Sequence, residues 1–248
     1  MTRFKLTIEY DGTGIAGWQR QDDRASVQSY LETAVEKLSG KPSEVTAAGR
    51  TDAGVHAIAQ VTHVDIEREM SPYNVVHGIN FHLVELTPQV VVTNAEKVGD
   101  DFHARFSATK RAYFYRIVNR SARLAVDRDR AWHIHEPLDA HAMQEGAKIL
   151  LGHHDFTTFR SSICQAKSPE KTLETFEITR IGEEIHIITT ARSFLHHQVR
   201  NMVGTLRLIG NGKWTLKDLQ DALAARDRKK GGETAPAQGL YLVGVGYD

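Results

Sequence analysis

Ala48-Gly49-Arg50-Thr51-Asp52-Ala53-Gly54-Val55-His56-Ala57 is the stretch on which the reading of this chain turns. It offers almost no large apolar side chain to bury and sets an arginine, a threonine, an aspartate and a histidine around two glycines. Glycine reaches backbone angles that strain other residues, and it lets another segment or a ligand come close. Such a polar run is a loop held by rigid neighbours, the place where function concentrates. A solvated hairpin loop, with the aspartate capping backbone and the arginine in water, is the other reading this stretch allows by itself.

The flanks give the loop its setting. Phe4, Leu6, Ile8 and Tyr10 alternate with Lys5, Thr7 and Glu9, the pattern of a half-buried strand. Asp11-Gly12-Thr13-Gly14 breaks it, and a polar loop through Trp18-Gln19-Arg20-Gln21 follows. A helix starts near Ser26, carries Val27, Tyr30, Leu31, Ala34, Val35 and Leu38 on one face, and stops at Gly40. A short strand from about Glu44 to Ala48 leads into the Asp52 loop, and a second from about Ala57 to Ile66 leads out. Ser71-Pro72 opens a helix with Val75, Val76 and Ile79 on its buried side, and Gln89 to Val98 is the next strand. Strand, helix, strand, strand, helix, strand is the ferredoxin-like βαββαβ order, and the Asp52 loop joins its two middle strands.

The second half opens on a basic, aromatic segment, Phe102-His103-Ala104-Arg105-Phe106 and then Lys110-Arg111-Ala112-Tyr113-Phe114-Tyr115-Arg116-Ile117. Its alternation from Tyr113 onward predicts a strand, followed by a loop with Arg120, Arg123, Arg128 and Arg130 and a strand around Trp132. Helices are expected from about Asp139 to Leu151 and from about Phe194 to Ile209, with strands at Thr172–Thr179 and Ile185–Ala191 between them. Thr215-Leu216-Lys217-Asp218 reads as a capping box that opens a last helix. That helix runs into Arg226-Asp227-Arg228-Lys229-Lys230, and Leu240 to Tyr247 closes the chain as a strand. The expected fold class is α+β: two ferredoxin-like domains with mainly antiparallel sheets and a cleft between them. Residues 1–104 would carry the aspartate loop, and residues 105–248 the tyrosine strand and the arginine helix.

Composition narrows the function. The chain has 248 residues, enough for a real core, with 31 basic against 31 acidic residues. Zero formal charge means that any attraction to nucleic acid comes from local clusters. One cysteine, Cys164, rules out an internal disulfide framework and a cysteine-based zinc site, and a reducing compartment follows. Met1-Thr2-Arg3-Phe4 runs straight into a strand pattern, without the apolar core of a signal peptide, and no apolar run is long enough to span a bilayer. The expectation is a soluble, cytoplasmic protein.

A lone aspartate beside an arginine is better suited to a charge-paired nucleophile than to a metal site, which wants convergent ligands. Its arginine partner need not be Arg50. Tyrosines beside Lys110, Arg111 and Arg116 suit base stacking with phosphate contacts, or else a core strand with a solvated charged edge. Arg200 falls in an otherwise apolar helix, where it needs a carboxylate partner or must snorkel to the surface. Adjacent histidines, as in His153-His154-Asp155 and His196-His197, point different ways and rarely share an ion.

Several stretches together carry a resemblance that covers nearly the whole chain in order. They are Tyr10-Asp11-Gly12-Thr13, Gly17-Trp18-Gln19-Arg20-Gln21, the Asp52 loop, Phe102-His103-Ala104-Arg105-Phe106-Ser107-Ala108, Arg111-Ala112-Tyr113-Phe114-Tyr115, Gln198-Val199-Arg200-Asn201-Met202-Val203-Gly204 and Gly239-Leu240-Tyr241-Leu242. The chain resembles the TruA family, tRNA pseudouridine synthases that act on uridines 38, 39 and 40 of the anticodon stem-loop. Ile15-Ala16 stands where the family usually has an aromatic residue. The resemblance implies Asp52 as nucleophile, Tyr113 stacked on the target uracil, Arg200 paired with Asp52, Arg50 holding the flipped state and Leu240 packed against the active site. Lys110, Arg111 and His56 are further substrate-binding candidates. It also implies a homodimer with tRNA touching both subunits, and neither cofactor nor metal. Two other readings remain: a non-catalytic RNA-binding protein on ferredoxin-like domains, and a metal-dependent hydrolase using His153, His154 and Asp155.

Overall fold

The computed structural model describes residues 1–21 and 23–247. In chain order the first elements are β1 (Thr2–Tyr10), α1 (Val27–Ser39), β2 (Thr46–Ala47), β3 (His56–Ile66), α2 (Pro72–Leu86), β4 (Val90–Val98) and β5 (Ala108–Asn119). Then come β6 (Trp132–Ile134), α3 (Ala140–Ile149), β7 (Gly152–Asp155), β8 (Glu170–Ile181), β9 (Glu184–Ala191), α4 (Gln198–Gly210), α5 (Leu216–Ala225) and β10 (Leu240–Tyr247). The chain divides into two compact units, Met1–Thr109 with the segment beginning at Tyr241, and Lys110–Leu240. The division thus falls five residues after the expected 104/105 boundary. The closing strand is placed with the first unit because Tyr241 and Leu242 pair in parallel with His56 and Ala57.

In the first unit β1 is central. It runs antiparallel to β3, from Thr2 opposite Ile66 to Ile8 opposite Gln60, and antiparallel to β4 on its other side. Phe4, Leu6, Ile8 and Tyr10 are buried, as their alternation requires. Ser26 and Ser29 form a capping box at the start of α1, and Gly40 ends it with φ of 79°. Val27, Leu31, Ala34 and Val35 on α1, with Val75, Ile79 and Leu83 on α2, make the buried helix faces. β2 and β10 share the far edge of β3, β2 opposite Thr62 and His63 and β10 opposite His56 and Ala57. β2 is shorter than the expected Glu44–Ala48. The N–H of Val45 donates to Glu32 Oε1 at 3.1 Å and its carbonyl accepts from Gln28 Nε2 at 3.4 Å, so α1 side chains take the place of ladder partners.

In the second unit the strand order is β5-β9-β8-β7, antiparallel throughout, with the short β6 parallel to the end of β5. Tyr115, Ile117, Phe156, Phe159, Phe176, Ile187 and Met202 are buried in its core. Two details depart from the periodicity. α4 begins at Gln198 rather than near Phe194, because His197 is left-handed, with φ of 64°, and Gln198 Oε1 accepts from the Leu195 N–H at 2.8 Å. And His153-His154-Asp155 lies in β7, an edge strand paired with β8.

Candidate active site

The Asp52 loop joins β2 to β3 and is held mainly by backbone. The Ala48 N–H donates to Val61 O at 2.8 Å, Trp18 N–H to Thr51 O at 3.0 Å, and Val55 N–H to Asp52 O at 3.1 Å. The preceding loop, 11–18, lies directly on it. A Cβ at Gly12 would stand 2.2 Å from Val55 O, and one at Gly17 2.6 Å from Thr51 O. Gly17 also has φ of 89°, so no other residue fits there without strain. Here two glycines act as the contact surface between loops.

Three side chains finish the cradle. The buried Tyr10 hydroxyl lies 2.7 Å from Thr51 Oγ1; desolvation pushes its pKa up to about 12, against an opposing pull from Thr51. Gln60 Nε2 donates to Gly49 O at 2.7 Å. His56 stacks on Tyr241 with ring centroids 4.6 Å apart, and its Nδ1 accepts from the Gly12 N–H at 3.0 Å. The Asp11 carboxylate lies 3.1 Å from the same nitrogen, but a backbone N–H can only donate, so Nδ1 presents its lone pair to Gly12. Asp11 Oδ1 meanwhile accepts from Thr13 N at 3.0 Å and Thr13 Oγ1 at 2.6 Å. His56, read from sequence as a substrate contact, is 2% exposed and supports the loop from behind. Asp52 is half-buried and Arg50 exposed at the loop's outer side.

The second unit holds the other candidates. Tyr113 on β5 is 9% exposed and meets Phe194 edge to face at 5.2 Å. Arg111, expected as a phosphate contact, is buried and donates from Nη1 to Arg192 O at 2.7 Å. Lys110 is exposed and 3.5 Å from Glu174. Arg200, in the first turn of α4, donates from Nε to Ala235 O at 2.8 Å, and Ala235 N–H returns a bond to Arg200 O at 3.1 Å. The 232–236 strap is thereby laid against α4, so closely that a Cβ at Gly204 would stand 1.9 Å from Glu233 O. Pro236 O accepts from the buried Tyr115 hydroxyl at 2.8 Å, and Leu240 is buried just beyond.

Sequence reading missed Asn201 and Arg228. Asn201 Oδ1 accepts from Arg228 Nη2 at 3.0 Å and Thr234 Oγ1 at 2.7 Å, while its Nδ2 donates to Phe159 O at 2.8 Å. Arg228 Nη1 adds a bond to Gly232 O at 2.8 Å. The basic run 226–230 is therefore not one uniform patch. Arg228 pins the strap, Arg226 pairs with Asp155 at 3.3 Å, and Lys229 and Lys230 are exposed. In the arginine loop, Arg120 lies 3.1 Å from Glu183 and Arg128 3.0 Å from Asp129, so these charges are partly compensated. His153 turns to Thr172 Oγ1 at 3.1 Å, His154 to Leu151 O at 2.7 Å, and Asp155 accepts from Thr157 N–H at 2.8 Å. Those three side chains serve separate partners, which removes the ground for a hydrolase built on them.

Comparison with known proteins identifies the family. The family model for tRNA pseudouridine synthase matches residues 6–107 and again 147–248. The tRNA pseudouridine synthase A of Paramagnetospirillum magneticum is 61% identical over 247 residues, covering 100% of this chain and 96% of that protein. Proteins of the same name from Azorhizobium caulinodans and Caulobacter are 56% and 52% identical, over 100% of this chain and 95% and 99% of theirs. With both its halves matched by one family description and its whole length matched by relatives, the chain belongs to the tRNA pseudouridine synthase family: it is an isomerase acting on tRNA.

Proposed function

We propose that the enzyme isomerises uridine to pseudouridine at positions 38, 39 and 40 of the tRNA anticodon stem-loop, with Asp52 as its nucleophile. The observation that carries this is the cradle of the Asp52 loop, where backbone bonds from Trp18 and Val55 and the two glycine contacts fix the aspartate's own backbone. A nucleophile has to be held in place before the substrate arrives, and a loop braced on both sides does that.

The reaction breaks the N1–C1′ bond, turns the detached uracil and joins C5 to C1′. The proton on C5 is lost and N1 regains one, so neither redox step nor group donor is required. Asp52 attacks C1′, adds to C6, or removes a proton to give a glycal; each route returns the carboxylate at the end. Arg200 is proposed to pair with that carboxylate and keep it ionised. Its Nε bond to Ala235 O fixes how the guanidinium is turned. Tyr113 is proposed to stack on the target uracil and to accept the C5 proton late in the reaction. Extruding a base costs a few kcal/mol, and stacking on an aromatic ring returns roughly 1–3 kcal/mol. Arg50 would hold the space the base vacates, and Leu240 would line the uracil's surroundings. Lys110 is exposed and suited to a phosphate, whereas the burial of Arg111 and His56 fits them better to holding the site together.

A homodimer in the cytoplasm completes the reading. It is supported by the family resemblance and the single cysteine, and no helix among the described residues is long and apolar enough to cross a membrane. Mapping the modified positions in an unmodified tRNA transcript tests the substrate assignment. Pseudouridine confined to 38, 39 and 40 supports it, and modification elsewhere with those positions untouched refutes it.

A further inference from the structure

The turn at 103–107 displays an aromatic ring that the catalytic account does not use. Phe106 is 73% exposed, and single exposed apolar residues are ordinary on protein surfaces. What sets this one apart is its support. His103 Nδ1 accepts from the N–H groups of Arg105 and Phe106 at 3.2 and 3.3 Å, and Ser107 Oγ accepts from the His103 N–H at 3.0 Å. Below the turn, Ala104 is wholly buried. Its N–H donates to His63 Nδ1 at 3.1 Å and its carbonyl accepts from the Tyr247 hydroxyl at 2.8 Å. Arg3, bound to both oxygens of Asp65 at 2.8 Å, donates to Phe102 O at 3.0 Å. His63 stands edge-on to His103 at 4.8 Å, and His103 in turn leans on Phe106 at 4.4 Å with 33° between the planes. The Arg105 guanidinium lies 5.8 Å from the Phe106 centroid.

We propose that Phe106, backed by His103 and flanked by Arg105, is a stacking platform for an unpaired base of the tRNA other than the base being isomerised. A ring that is rigid before binding loses little entropy on meeting a base, which is where the bracing becomes useful. Every base has a π-face, so such a platform accepts different tRNAs alike. Asp100 and Asp101 lie in the preceding turn, which the Phe102 N–H closes on Gly99 O, and Arg3 faces them, so the contact proposed at Phe106 is one of stacking rather than of phosphate charge. A second copy of this chain is the other occupant an exposed ring could take, and the test separates the two.

The proposal rests on tRNA as substrate and not on the role of Asp52. Phe106→Ala and Phe106→Trp are compared with wild type for tRNA binding across a salt series, single-turnover rate at saturating tRNA, melting temperature and mass by light scattering. Phe106→Ala should weaken binding about tenfold, with the salt slope, saturated rate, melting temperature and mass unchanged, and Phe106→Trp should restore the affinity. Unchanged affinity in Phe106→Ala overturns the platform while leaving the enzyme intact. A change in mass overturns it in favour of a contact between copies. A loss that Phe106→Trp does not restore, accompanied by a lower melting temperature, assigns the ring to stability instead. Failure of wild type to bind tRNA at all would strike the substrate itself, and the platform with it.

Discussion

The Asp52 loop and the entry to α4 each position one charged side chain, and they do it by opposite means. Around Asp52 backbone lies against backbone: Gly12 and Gly17 bring loop 11–18 into contact with 51–55, and left-handed geometry falls on Gly17 and Gly54. At α4 the left-handed residue is His197, not a glycine, and Arg200 depends on a strap pinned by Asn201, Thr234 and Arg228. Backbone contact of the first kind is rigid but intolerant of any added atom. A side-chain network of the second kind fails when one member loses its partner.

Adding a methyl group tests the contrast most severely. Gly12→Ala places a Cβ against Val55 O, so one loop must move, at a cost of about 3 kcal/mol or more. Activity should vanish even where the variant folds. Gly204→Ala meets Glu233 O with similar severity but displaces the strap under Arg200 instead. Urea midpoints and turnover for both variants check this, and a Gly12→Ala enzyme as stable and active as wild type would break the account of the loop.

Arg228→Met should come next. It leaves the Asn201 carbonyl and Gly232 O short of donors, costing about 2 kcal/mol with a matching fall in activity. Lys229→Ala should leave the melting temperature unchanged. Arg228→Lys should recover little, since one ammonium group cannot span the partners that the planar fork reaches. If Arg228 instead contacted tRNA phosphate, its loss would lower the salt slope of binding by about 0.9 and leave the melting temperature alone.

Tyr10→Phe is a milder probe of the first region. Losing the bond to Thr51 should cost about 1 kcal/mol and slow turnover several-fold with KM unchanged. It also carries a pH signature. The Tyr10 pKa rises from 10.0 to about 12 in the folded protein, so its contribution to stability is complete below pH 10.0 and lost as pH climbs towards 12. Alkaline unfolding of Tyr10→Phe should lack that loss.

The smallest effect concerns Glu184, which Arg116 holds down at about 2, from an ordinary 4.5. A depressed carboxylate stabilises above 4.5 and ceases to do so as pH falls towards 2. For this partly exposed pair the contribution is about 1 kcal/mol or less. Glu184→Gln should therefore flatten acid unfolding over that window. The first unit has a counterpart in Asp65, lowered chiefly by its hydrogen bonds from Arg3, and Asp65→Asn should act in the same direction.

The same contrast explains which features were legible in sequence. Alternation along β1, the serine cap of α1 and the proline at the start of α2 are local signals, and they placed those elements closely. Gly54 marks the Asp52 loop because glycine is a visible sign of backbone geometry, and it is left-handed there with φ of 78°. The start of α4 was misplaced by four residues, since nothing in Phe194-Leu195-His196-His197 announces a left-handed histidine. Arg228 sits in a run of cations and reads as surface charge, while its inward turn depends on Asn201, distant in sequence. Arg111 and His56 were recognised as important, but their burial is a property of the packed chain and not of their neighbours in sequence.

The most direct test of the central claim uses tRNA carrying tritium at uridine C5, with wild type and Asp52→Asn compared for tritium release and for tRNA affinity. Joining C5 to C1′ expels the label, so wild type should release it into water. Asp52→Asn should bind tRNA with unaltered affinity and release none. Release by Asp52→Asn at the wild-type rate would contradict the assignment of Asp52 to the chemical step.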